Sequence, residues 1–124
     1  MILASALQDI LANTIDTEIN TGAGTATLKF ETSGDAEVAT INLQNPAFGA
    51  ASAGVITLAG VTLSDTSATG GTVAQATIED RDGTPQLEMT VGTSGTEIII
   101  TSVVIAATEQ VDITALTLAV PTGP

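Results

Sequence analysis

The 124-residue chain is predicted to be mainly β: an antiparallel β-sandwich or jelly roll of about seven or eight strands with one N-terminal α-helix. Three observations carry this expectation. Short runs alternate apolar and polar residues with a period of two; glycine, proline and Asx-rich turns separate them at intervals of roughly ten residues; and only the first stretch of the chain has helical spacing. The division expected is a helical segment over 1–22 and a β-sandwich over 23–124, together one compact unit.

The helix is expected from Ser5 to about Ile19, where Leu3, Leu7, Ile10, Leu11, Ile15 and Ile19 recur at three- and four-residue spacing. Ser5 is a candidate N-cap, Asp9 suits the early turns, and Asn20-Thr21-Gly22 ends the run. Such a helix serves either as a lid over an open end of the core or as a docking element for another chain.

From Gly24 the period changes. Ala26, Leu28 and Phe30 alternate with Thr25, Thr27, Lys29 and Glu31 as in a half-buried strand, and Thr32-Ser33-Gly34-Asp35 turns the chain. Ala39, Ile41 and Leu43 form the next strand, which Asn45-Pro46 stops because proline has no N–H for a ladder. The loop Pro46–Gly54 holds a single ring, Phe48, which either anchors a partner or folds back to plug the core. Val55 to Leu63 reads as a long strand with a bulge or bend at Gly60, and Ser64 to Gly71 as a polar loop.

The stretch Thr72 to Ile105 organises the sheet. Asp80-Arg81-Asp82-Gly83 is a hairpin signal, since glycine takes a positive φ without steric cost. Leu87, Met89 and Val91 alternate with Glu88 and Thr90, and Gly92-Thr93-Ser94-Gly95 then predicts a second turn into a strand from Glu97, completing an antiparallel meander. Ile98-Ile99-Ile100 and Val103-Val104-Ile105 flank Thr101-Ser102 and read as a strand apolar on both faces or as two strands sharing a corner, to be covered on both sides. Val111 and Ile113 keep one phase and Leu116, Leu118 and Val120 the other, so a bulge or a switch between sheets is expected near Thr114-Ala115.

Composition narrows function. Fourteen acidic residues against Lys29 and Arg81 give a net charge of -12, which repels nucleic acid and anionic membranes, since phosphate binding needs clustered cations. No stretch approaches the roughly 18–20 apolar residues of a membrane helix, and the N-terminus lacks the positive region of a secretory signal, so use without export is expected. Histidine, cysteine, tyrosine and tryptophan are absent, which removes histidine triads, thiol nucleophiles, nitrogen–sulfur zinc sites and most stacking platforms. A non-enzymatic protein without cofactor or metal is therefore expected. Asp80-Arg81-Asp82-Gly83-Thr84 approaches a calcium loop only superficially: its glycine comes too early and Thr84 stands where a further ligand belongs.

Asn45-Pro46-Ala47-Phe48-Gly49-Ala50, Asp80-Arg81-Asp82-Gly83-Thr84 and Val91-Gly92-Thr93-Ser94-Gly95 occur in that order behind a helical N-terminus. In this the chain resembles small Thr/Ala/Gly-rich virion structural proteins of tailed bacteriophages. Arg81 departs from the small polar residue expected between the two aspartates. The resemblance implies a particle component assembled in the host cytoplasm, with the major capsid protein or other virion proteins as partners. Its acidity implies the outer capsid surface, away from packaged DNA. A capsid decoration or cement protein bridging capsomers is the leading expectation. A tail or tail-tip component, receptor-binding or not, is the alternative, and a carbohydrate- or cell-surface-binding β module a third. A homotrimer is expected through Leu3, Leu7, Ile10 and Leu11, with Phe48 as a further candidate interface residue, because the helix carries more apolar side chains than one end of the core can cover.

Overall fold

A computed structural model describes residues 1–121; residues 122–124, the end of the predicted β domain, lie outside the described residues. The chain is mainly β with one helix, α1 (Ser5–Ile19). Strands β1 (Thr27–Glu31), β2 (Glu37–Asn42), β3 (Val55–Thr57), β4 (Leu63–Asp65), β5 (Gly71–Thr72) and β6 (Gln75–Glu79) precede the longest, β7 (Pro85–Gly92). After it come β8 (Ile98–Ile99), β9 (Val104–Ile105), β10 (Val111–Ile113) and β11 (Thr117–Ala119). The strands exceed the expected number because several predicted runs are divided into short pieces.

One five-stranded sheet, ordered β2-β1-β6-β7-β8, carries the core. Its first four strands are antiparallel, and their register sets two apolar rows across one face: Ile41–Leu28–Ile78–Leu87 and Ala39–Phe30–Ala76–Met89. Phe30 lies between two alanines, which leaves room for its ring, and it is 1% exposed. The opposite face is the alternating polar set, where Lys29 pairs with Glu79 and Thr77 donates to Glu31. Three two-stranded ribbons, β10-β4, β11-β3 and β5-β9, complete the named strands among the described residues, and Ile56 and Ile113 from two of them, with Leu58 just after β3, join the same core.

Several expectations are refined by the geometry. The helix has the predicted span, but Ala4, extended at ψ 148, occupies the N-cap and Ser5 is already helical, with no side-chain cap bond. The expected long strand from Val55 is divided in two by Gly60, at φ +71, where a Cβ would lie 1.9 Å from the Gln44 amide nitrogen. The polar loop expected over Ser64 to Gly71 contributes residues to β4 and β5 at its two ends.

The hairpin β6–β7 forms as predicted, with the Asp80 N–H donating to the Thr84 carbonyl at 2.9 Å and a register shift between Ile78 and Glu79. The meander is corrected at its third strand. β8 runs parallel to β7, pairing Val91 with Ile98 and Gly92 with Ile99. Side chains redirect the chain there: the Thr90 hydroxyl accepts from the Glu97 N–H at 3.2 Å and the Thr96 hydroxyl donates to the Ile98 carbonyl at 2.7 Å. The phase change after Ile113 is the predicted switch, since β10 pairs with β4 and β11 with β3.

Candidate interaction surface

The helix docks by its polar side. Asp9, Asn13, Asp16 and Asn20, spaced four, three and four residues apart, lie along one stripe of α1. Their oxygens accept the N–H groups of Gly54 at 2.7 Å, Ala51 at 2.9 Å, Phe48 at 3.0 Å and Ala47 at 2.9 Å. The loop thus runs antiparallel to the helix, with its backbone donors satisfied by helix side chains. Asn20 also donates to Asp16 at 2.9 Å, tying two members of the ladder together. Beside this stripe Ala12 and Ile19 enter the core and Ile15 packs partly against it.

The consequence is an unpartnered apolar arc. At roughly 100° per residue, Leu7, Ile10 and Leu11 fall on the side of α1 away from the ladder, whereas Leu3 precedes the extended N-cap and is outside the helix. Leu3 is half-buried, whereas Leu7 is 43%, Ile10 60% and Leu11 40% exposed. Met1 and Ile2, ahead of the helix in the chain, are exposed as well. The helix therefore covers the core with one arc and presents a second, apolar arc to solvent.

Phe48 is corrected as an interface candidate. Its ring is 1% exposed and its backbone bridges Leu58, so it plugs the core end under the helix ladder. The expectation that both faces of Ile98–Ile105 would be covered is also corrected: Ile99 and Val104 are each 65% exposed. A run apolar on both faces signals burial, yet the two-residue strands leave these side chains without a covering layer in one chain.

The aspartate turn is built for structure. The Asp80 carboxylate accepts N–H bonds from Asp82 and Thr84, each at 2.9 Å, and a bond from the Gln86 amide at 3.0 Å. The Thr84 N–H foremost, then those from Asp82 and Gln86, hold its carboxyl below the ordinary aspartate value, against an opposing effect of burial. Arg81 and Asp82 fasten the same turn to the helix–β1 connection: Arg81 Nε donates to the Gly24 carbonyl at 2.9 Å, and Asp82 accepts from the Ala23 N–H at 3.1 Å. Among the described residues, no cluster of three or more acidic, histidine or cysteine side chains is arranged to hold a metal. Asp112 is likewise held below the ordinary aspartate value by the Ser64 hydroxyl first and then the Gln110 amide, which links β10 to β4.

Comparison with known protein families, with characterised proteins and with solved structures gives no match for this chain. The surface itself is therefore the starting point for function. Sequence reasoning missed the polar ladder, although the four-, three- and four-residue spacing of its Asp and Asn was visible: Asp9 was read only as suiting the early turns and Asn20 only as ending the helix.

Proposed function

We propose that the chain is a non-enzymatic assembly protein, a decoration or cement protein of a bacteriophage head that associates as a homotrimer through α1. The observation that carries this reading is the solvent-facing apolar arc of Leu7, Ile10 and Leu11, with Met1 and Ile2 also exposed ahead of the helix, on a chain of strong net negative charge. Burying a Leu or Ile is worth roughly 1.5–3 kcal/mol, so two or three per chain weigh against assembly entropy and the mutual repulsion of acidic subunits. The resemblance of the turn segments to virion proteins supplies the setting, with the major capsid protein as partner on the outer capsid surface. In this reading the five-stranded sheet and the facing ribbons form a β-sandwich of jelly-roll type.

Sedimentation measures the association directly. The wild type should be trimeric at tens of micromolar in high salt, with association strengthening as salt screens the acidic repulsion. A Leu7→Asp, Leu11→Asp variant should be monomeric and folded. A monomeric wild type, or a variant that still forms trimers, overturns the helix interface. Copy number in intact particles then decides the location: hundreds of copies fit a head protein, and a few to some dozens fit the tail.

A further inference from the structure

A second surface, separate from the helix arc, lies between two strand edges. β7 pairs with β6 along one side, but on its other side β8 covers only Val91 and Gly92, leaving Pro85–Thr90 without a neighbouring strand among the described residues. Gly92 directs its carbonyl to that side, where it accepts from the Ile100 N–H at 2.9 Å. By the alternation of an extended chain, Glu88 directs its N–H and carbonyl and Thr90 its N–H to the same side, the Thr90 carbonyl being turned to Ile98 of β8 by the parallel pairing. β11 pairs with β3 along one edge only. Both strands line one groove of about 390 Å³, whose walls include Leu87, Met89, Leu116 and Leu118, with Ile15 of the helix at its end and Glu88 and Glu97 at its rim.

We propose that this groove receives an extended segment of a different, basic protein, which adds as a strand to the open edge of β7. An unpaired edge beside an apolar trough supplies the two things strand addition uses: backbone donors and acceptors, and pockets for alternate side chains. One set of the guest's side chains enters between Leu87, Met89 and Leu118, and the other set stands beside Glu88 on the sheet's polar face. Charge selects the guest. The rim is acidic and the whole chain stands at -12, so a second copy would bring acid against acid. Its two cations are already engaged, Lys29 with Glu79 and Arg81 with the Gly24 carbonyl. A guest alternating apolar residues with Lys or Arg is complementary in both respects. This inference concerns the groove alone and stands whether or not the helix arc forms a trimer.

Amide hydrogen exchange followed by NMR at physiological salt tests it. The probe is a nine-residue peptide alternating valine and lysine, compared with the same peptide N-methylated at its five central residues, which keeps the charge and removes strand pairing. The unmethylated peptide should slow exchange at the Glu88 and Thr90 amides by about tenfold or more, and the methylated one should not. A Glu88→Lys, Glu97→Lys variant should bind the unmethylated peptide at least about tenfold more weakly. No slowing at millimolar peptide overturns the proposal, as does equal binding of both peptides, which is adsorption to an acidic surface only. Unchanged affinity in the double variant overturns the assignment of a basic guest. Protection that rises with protein concentration and without peptide shows instead that a second copy fills the groove.

Discussion

The five-stranded sheet and the layer of helix, loop and ribbons beside it are held by different physics. In the sheet, a continuous backbone ladder and rows such as Ala39–Phe30–Ala76–Met89 do the work, and side chains point inward or outward by parity. In the second layer the strands are two or three residues long, and cohesion comes from polar side chains reaching to another element's backbone. Asp9, Asn13, Asp16 and Asn20 hold the loop Ala47–Gly54, and Asp65 accepts the Thr40 N–H at 2.9 Å. The ladder's backbone bonds survive the loss of a side chain, so a change there costs packing alone, whereas a side chain that satisfies a distant N–H takes the hydrogen bond with it.

Substitutions sharpen that contrast. The largest expected effect is in the sheet: Phe30→Ala should lower unfolding free energy by about 3–5 kcal/mol in denaturant titration, because flanking Ala39 and Ala76 cannot fill the space. A loss below about 1 kcal/mol would show that the second layer collapses onto the sheet and that the two regions are not mechanically distinct.

Asp16→Ala should cost about 1–3 kcal/mol, since it leaves the Phe48 N–H without its acceptor and Asn20 without its partner. Asp16→Asn, which keeps an acceptor oxygen, should recover part of that loss. Equal losses for the two substitutions would mean that charge rather than hydrogen bonding holds the loop.

Asp80 tests the same contrast through pH. Its carboxyl is held below the ordinary value of 3.8, so its stabilisation is complete above that pH and disappears as pH falls through the lowered folded value. Asp80→Asn should therefore flatten the acid limb of the stability–pH curve. An unchanged limb would show that other carboxylates dominate acid unfolding.

The smallest effect is expected on the exposed arc. Ile10→Ser, at a position 60% exposed, should change the monomer's stability by no more than about 0.5 kcal/mol while weakening self-association. A monomer destabilised like the Asp16→Ala variant would place Ile10 among the groups that hold the helix down.

A mainly β chain with one helix, the span of α1, the β6–β7 hairpin and the change of sheet after Ile113 were legible in the residues, because each depends on a local period or a local turn. The groups of candidate residues were legible to the same extent: helical spacing placed Leu7, Ile10 and Leu11 on one arc, but spacing cannot say which arc meets the core. That the Asp/Asn stripe faces the loop emerges from long-range packing, since its partners, the N–H groups of Ala47 to Gly54, lie 27 to 45 residues away along the chain. Such packing likewise decided that Phe48 is buried, that β8 runs parallel to β7, and that β7 and β11 leave a groove open between them. Those outcomes turn on which backbone donors remain unsatisfied after the ladders form. That is a property of the assembled chain and of no single stretch of it.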